Sequence, residues 1–136
     1  MGLDMCLYGA TIEIDRETGK PVIKLEEVAY WSKHNAIHNW MIKNIQNNVD
    51  NKAMYSLDEV HLKKLLLTCN KVLSNPTVEN AMNILPTLNG LFFGGTDLTD
   101  YLEFENYIDG LKYTVKVLKN LLENDKFEYY YYQASW

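Results

Sequence analysis

The sequence of 136 residues has few of the features that mark nucleic-acid-binding, secreted or membrane proteins. Its only arginine is Arg16 and its net charge is −5, whereas a DNA-binding surface needs clustered basic side chains that displace counterions. Its two cysteines, Cys6 and Cys69, form no CxxC motif and are expected to be buried thiols in a cytoplasmic protein. No apolar run approaches the roughly 20 residues of a membrane helix, and no secretory signal is visible. We therefore expect neither a DNA or RNA duplex nor a membrane as a partner.

The patterns that are present predict a single α+β domain over residues 1–136. Residues 4–14 and 21–25 have the character of strands on either side of a turn, which predicts a hairpin. The aromatic tail, residues 127–136, predicts a strand that reaches the last residue. Because strands at both ends of the chain need pairing partners, we expect them in one antiparallel sheet packed by about four helices.

Helical periodicity and capping residues locate these helices. The predicted helices are residues 26–46, a helix behind a Ser56–Glu59 capping box that runs to about Leu73, a short helix capped by Thr77 that ends before Pro86, and a long helix from Thr99 or Asp100 to about Glu123. The predicted buried stripe of the long helix is Phe104, Ile108, Leu111, Val115, Leu118 and Leu122. Gly110 is expected to weaken that helix by about 1 kcal/mol relative to alanine. Residues 87–97 predict an aromatic strand between glycine turns.

The segment around the two neighbouring histidines is the most informative part of the sequence. On a helical wheel, His34 and His38 fall inside the apolar arc with Trp31. Three interpretations stay open: a zinc site, histidines hydrogen-bonded inside a core, and the polar wall of a ligand pocket. Zinc needs further ligands, and there is no HExxH motif. We favour the pocket, with His38 as a ligand contact, because Asn35 lies one turn away and Trp31 could form a flat wall.

Two further segments could complete such a pocket. The run 92–95, Phe-Phe-Gly-Gly, offers a ring for base stacking beside glycines that let backbone N–H groups approach a phosphate, or it is plain sheet core. In the tail, alternate side chains either line a cleft or form aromatic pairs on an edge strand. The candidate ligand-binding residues are Trp31, Lys33, His34, Asn35, His38, Phe93, Tyr131, Gln133 and Trp136.

Four segments resemble a family of small proteins encoded by phages and prophages. They are Met-Gly-Leu-Asp-Met-Cys-Leu-Tyr-Gly, Glu-Val-Ala-Tyr-Trp-Ser-Lys-His-Asn-Ala-Ile-His-Asn-Trp, Gly-Leu-Phe-Phe-Gly and Tyr-Tyr-Tyr-Gln-Ala-Ser-Trp. In that family the second segment usually reads Tyr-Trp-Arg-Lys-x-Asn-x-Ile-His. This chain has Ser32 in place of the arginine, which shifts a role in binding phosphate to Lys33. The chain is also similar to immune-evasion sponges, such as the group called Sequestin, which sequester nucleotide second messengers of host defence systems.

The resemblance implies a non-catalytic protein that sequesters a small nucleotide, adenine-containing or cyclic, to counter host anti-phage defence, and we expect it to need no cofactor or metal. Two alternatives stay open. One is a nucleotide-cleaving phosphodiesterase or other hydrolase that uses His34 or His38 as general acid or base. The other is a protein-binding inhibitor with exposed aromatic hot spots. Trp40 falls outside the apolar arc, and its expected exposure predicts a homodimer or a higher symmetric assembly.

Overall fold

A computed structural model describes residues 2–88 and 95–136 and places both ends of the chain in the same sheet. In chain order the elements are β1 (Asp4–Ile14), β2 (Pro21–Ser32), α1 (Asn35–Asn44), β3 (Tyr55–Leu57), α2 (Glu59–Ser74), α3 (Val78–Ile84), α4 (Tyr101–Asn124) and β4 (Tyr129–Ser135). The strands pair in the order β2-β1-β4-β3, and every pair is antiparallel. The predicted α+β fold, with its N-terminal and C-terminal strands in one antiparallel sheet, is confirmed. None of the described helices is long and apolar enough to cross a membrane.

The hairpin of β1 and β2 reaches well past the rest of the sheet. β1 pairs with β2 along its whole length, from Asp4 to Ile14, but its pairing with β4 stops at Ala10. In the part of the hairpin beyond Ala10, Ile12 lies opposite Ile23, and these two side chains are 50% and 51% exposed. A two-stranded ribbon is marginally stable by itself, so this arm depends on the sheet to which it is anchored.

The core lies between one face of the sheet and the helices. Alternate residues of β1 and β4 point into it, since successive side chains of a strand face opposite sides. Its fully buried members include Met5, Leu7 and Tyr132 from the sheet, Ile37 and Met41 from α1, Leu62 and Leu65 from α2, and Leu111 and Leu118 from α4. Each such side chain contributes about 1.5–3 kcal/mol relative to an exposed one, so the helices are held mainly by this contact.

The prediction of a helix over residues 26–46 is wrong in its first part. β2 continues through these residues to Ser32, and α1 begins only at Asn35. The burial of Ala29 and Trp31 on either side of exposed Tyr30 is the alternation of a strand, and a bulge near residue 28 shifts its register. Pairing with β1 therefore overrides the helical periodicity of this segment.

Trp40 is another correction. It lies in α1 and is only 6% exposed, as part of the core. The expected exposure of Trp40 assumed a helix over residues 26–46, which is longer than α1. In addition, α1 is buried on most of its surface. The homodimer remains a prediction, but the expected exposure of Trp40 no longer supports it.

The start of α2 lies two residues later than predicted. Ser56 belongs to β3, and Asp58 caps the helix by accepting hydrogen bonds from the N–H groups of Val60 and His61. The His61 Nδ1 in turn accepts from the Asp58 N–H, which completes a capping box. The predicted Thr77 cap of α3 is confirmed, since Thr77 accepts from the Asn80 N–H.

The long helix α4 has the predicted bounds, and in its predicted stripe Leu111 and Leu118 are fully buried, whereas Ile108, Val115 and Leu122 are partly buried. Asp100 caps it, as predicted, and it ends at Asn124. Its buried residues are Tyr107, Leu111, Thr114, Leu118 and Leu121. Of the aromatic strand predicted over 87–97, residues 89–94 lie outside the described residues, and the described residues on either side belong to no strand.

Candidate functional site

A cavity of about 430 Å³ lies where β2 turns into α1. Its walls come from this turn, from the chain after α3 and from the first turns of α4. The lining residues are Ser32, Lys33, His34, Asn35, Ala36, Thr87, Gly95, Thr96, Glu103, Asn106 and Tyr107. Small-molecule sites usually measure about 300–1,000 Å³, so the cavity can hold a compact ligand. Three of the residues predicted as ligand contacts, Lys33, His34 and Asn35, line it together.

Lys33 forms the corner of the turn in an unusual backbone conformation. Its φ of 58° lies in the left-handed region, which residues other than glycine rarely adopt. Its N–H donates to the Leu3 carbonyl at 2.7 Å, which holds the corner against the start of β1. Such strain occurs most often at ligand-binding sites and active sites, and here it accompanies an exposed lysine at the edge of a cavity.

His34 is the N-cap of α1 and is buried in the cavity wall. Its Nδ1 accepts a hydrogen bond from the Ile37 N–H at 3.3 Å. Its Nε2 lies 3.0 Å from the Tyr107 carbonyl oxygen and must donate to it, since a carbonyl only accepts. Burial lowers the pKa of this histidine, so the neutral tautomer with its proton on Nε2 is favoured. Both ring nitrogens are engaged by backbone, whereas a general acid or base needs one in reach of the substrate.

Gly110 explains how α4 can pack so closely against His34. A Cβ at residue 110 would lie 2.2 Å from the His34 Cδ2, closer than any real contact. The imidazole cannot easily move away, because it is hydrogen-bonded at both nitrogens and stacked on the Tyr107 ring at a centroid distance of 5.4 Å. The glycine that weakens the helix is thus required by the close approach of the histidine ring.

The chain after α3 forms the second wall and is held by three side chains. The Tyr107 hydroxyl donates to the Leu85 carbonyl at 2.8 Å. The side-chain amide of Asn35 donates to the Leu88 carbonyl at 2.9 Å, and that of Asn39 donates to the Pro86 carbonyl at 3.1 Å. These bonds fix the position of the second wall relative to α1 and α4.

The sequence reasoning missed most of the α4 side of the cavity. In the sequence, Glu103 looks like a carboxylate of the solvated surface or of a helix N-terminus, and nothing singles out Asn106 or Tyr107 as a site residue. A signal for Tyr107 existed, since it precedes Leu111 by four residues on the buried face. Thr87 and Thr96, which flank the undescribed residues, gave no comparable signal.

Three other predicted ligand contacts meet elsewhere, around the loop of residues 47–54. His38 Nε2 lies 2.9 Å from the Asp50 carboxylate. The Gln133 side chain donates to the Lys52 carbonyl at 3.0 Å, and the Lys52 Nζ lies 5.5 Å from the centroid of the Trp136 ring. We call this group of His38, Gln133 and Trp136 the loop clamp, because each of its members contacts the loop.

His38 is completely buried at the centre of the loop clamp. A carboxylate only accepts, so Nε2 donates to Asp50, and Nδ1 then accepts from the Tyr132 hydroxyl at 2.7 Å. Burial lowers the pKa of His38, although Asp50 opposes the shift. This geometry favours the second of the three interpretations, a histidine hydrogen-bonded inside a core, over a ligand contact.

Of the remaining predicted contacts, Trp31 and Tyr131 do not line the cavity. Trp31 is buried, and its indole N–H donates to the Thr114 hydroxyl at 2.8 Å. Tyr131 is half-buried on β4, with its ring against that of Tyr129 at 5.5 Å. Phe93 lies outside the described residues. The structure thus separates the eight described candidates into the cavity group, the loop clamp and two isolated positions.

Two further observations concern metal ions and similar proteins. Within residues 2–88 and 95–136, no group of three or more His, Cys, Asp or Glu side chains could hold a metal ion. No protein-family model, curated protein or solved structure matches the chain. The site is therefore interpreted from its geometry.

Proposed function

We propose that the chain is a non-catalytic phage-type protein that binds and sequesters a small nucleotide signalling molecule, and thereby counters a host anti-phage defence. The observation that carries the proposal is the cavity of about 430 Å³ that brings Lys33, His34 and Asn35 together. These residues belong to one of the four segments that resemble the phage and prophage family. Lys33 would contact the phosphate.

The polar groups of the cavity suit a nucleotide. Lys33 supplies a positive charge, while the side chains of Asn106, Thr87 and Thr96 supply hydrogen-bond donors and acceptors. The buried Tyr107 ring adds apolar surface to the wall. The cavity therefore combines a few polar groups with apolar surface, as small-molecule sites usually do.

Binding without cleavage is supported by the state of the cavity histidine. His34 is neutral, and it uses one nitrogen to cap α1 and the other to bond α4. Moving a proton on or off this ring would break one of those bonds. A hydrolase that used His34 as general acid or base would need a ring nitrogen that is not committed in this way.

Isothermal titration with a panel of adenine nucleotides and cyclic nucleotides tests the proposal. Lys33→Met should lower the affinity of the nucleotide that binds by at least about tenfold, because a charge-assisted hydrogen bond to phosphate is lost. Lys43→Met is the matched control, since Lys43 is an exposed lysine of α1 that does not line the cavity. Equal effects of the two substitutions would contradict a site at the cavity.

The fate of the bound nucleotide separates the proposal from its rivals. A nucleotide that co-purifies with the protein and is released intact on heating supports sequestration. Release of a cleaved product would instead support the hydrolase. A chain that binds no nucleotide in the panel and carries none would contradict the proposal and favour the protein-binding inhibitor.

A further inference from the structure

The charged groups around the cavity restrict the ligand more narrowly than its volume does. Among the described residues that line it, Lys33 contributes one positive charge and Glu103 one negative charge, so their sum is zero. His34 adds no charge near pH 7, because burial keeps it neutral. The undescribed residues 89–94 read Asn-Gly-Leu-Phe-Phe-Gly and contain no ionisable side chain, so they cannot change this sum.

From this balance we infer that the cavity is selective for nucleotides with one or two negative charges, with the phosphate at Lys33 and a ribose hydroxyl at Glu103. The inference rests on the proposed function and names its ligand class. A phosphate monoester carries about −1.5 to −2 charges near pH 7 and a phosphodiester about −1. A triphosphate would bring further charges towards Glu103, inside a chain of net charge −5.

Glu103 is held in a position that suits this role. Its Oε2 accepts a hydrogen bond from the Asp97 N–H at 2.7 Å, which orients the carboxylate at the start of α4. A carboxylate can accept from the 2′-hydroxyl of a ribose, as the acidic residue of dinucleotide-binding folds does. The same negative charge repels a phosphate, and Glu103 therefore selects for the sugar and against additional phosphates.

The selectivity can be measured with adenosine 3′,5′-cyclic monophosphate, AMP and ATP as probes, with EDTA present so that no metal ion neutralises the phosphates. The parent should bind AMP or the cyclic nucleotide at least about tenfold more tightly than ATP. Glu103→Gln keeps the acceptor for the Asp97 N–H but removes the charge, so it should raise the affinity for ATP relative to AMP several-fold. Asn106→Asp adds a carboxylate at an exposed cavity position and should weaken all three probes, ATP most.

The outcomes distinguish this inference from the proposed function. If ATP binds the parent as tightly as AMP, or if Glu103→Gln and Asn106→Asp leave their ratio unchanged, the inference is overturned and nucleotide binding stands. If none of the three probes binds but a nucleotide with more than two negative charges does, the inference is again overturned alone. If no nucleotide binds, both fail. If Glu103→Gln does not fold, the ratio in Asn106→Asp decides.

Discussion

His34 and His38 lie one helical turn apart, yet they belong to two different parts of the molecule. His34 is bonded by backbone groups of α1 and α4 and forms part of a cavity wall. His38 is bonded by side chains of β4 and of the 47–54 loop and forms the centre of the loop clamp. The comparison shows that two buried histidines four residues apart can have different roles, because different groups pack against each ring.

Among the substitutions that test this comparison, His38→Ala should have the largest effect on stability. The substitution leaves the buried Tyr132 hydroxyl without its acceptor and removes a ring from the core, so the free energy of unfolding should fall by about 2–4 kcal/mol. Urea unfolding measures it. The affinity of a nucleotide bound at the cavity should change little.

His61→Ala is the matched control for this prediction. His61 is a partly exposed histidine of a capping box, and its loss should reduce stability by about 0.5–1 kcal/mol. If His38→Ala is as stable as the control and no longer binds nucleotide, the original prediction of a ligand contact is correct instead.

Gly110→Ala tests the cavity side of the comparison. Alanine should improve helix propensity by about 1 kcal/mol, but its Cβ would overlap the His34 ring, so we expect a net loss of about 1–3 kcal/mol in unfolding free energy. Chemical denaturation compared with Asn120→Ala, an exposed position of the same helix, provides the measurement. A stabilised Gly110→Ala protein would show that the close contact is not formed.

The pH dependence of stability tests both histidines together. Their pKa values are lowered in the folded protein, chiefly by burial, whereas the pKa of a histidine in the unfolded chain is about 6.5. Below that pH the unfolded chain binds more protons, so stability is fully present above pH 6.5 and is lost as the pH falls towards the folded pKa values. Between pH 7.5 and 5.5 we expect each histidine to lower the free energy of unfolding by no more than about 1.4 kcal/mol.

His34→Asn identifies the cavity histidine's part of this loss. Asparagine also caps helices well, so the substitution should reduce the dependence of stability on pH without abolishing folding. Urea midpoints at the two pH values, measured for the parent and the variant, give the comparison. An unchanged pH dependence would mean that His34 titrates normally in the folded state.

The smallest expected effect concerns the edge of the loop clamp. Lys52→Met keeps the aliphatic stem but removes the ammonium group that lies over the Trp136 ring, and such exposed pairs are worth about 0.5–1 kcal/mol. The unfolding free energies of this variant and of Lys43→Met, measured by thermal unfolding, should differ by no more than about 1 kcal/mol. A loss of several kcal/mol would mean that Lys52, rather than His38, is the main anchor of the loop.

Most of the fold could be predicted from local patterns, but the grouping of the site residues could not. The caps at Thr77 and Asp100 and the terminal strands follow from short-range chemistry that the sequence displays. The extension of β2 to Ser32 depends on pairing with β1, which no local pattern encodes. In the same way, the buried face of α4 includes Tyr107 and Thr114, whose hydroxyls bond to Leu85 and Trp31, residues that are distant in the sequence.

The grouping of the candidate site residues could not be predicted for a related reason. Treating 26–46 as one helix placed Trp31, His34 and His38 on a common face, although Trp31 belongs to a strand. Once the chain turns at Lys33, the side chains before and after the turn point into different surroundings. A site at the junction of two elements is therefore poorly described by the periodicity of either.

The position of β1 in the sheet has a consequence for the order of events during synthesis. One neighbour, β2, leaves the ribosome directly after β1, but the other, β4, begins only at Tyr129. At about 5–20 residues per second, the nascent chain waits on the order of ten seconds before the second edge of β1 can be covered. During that interval the unpaired edge of β1 can pair with strands of other chains. We therefore expect correct folding of the hairpin to depend on chaperones and on translation speed more than correct folding of the helices does.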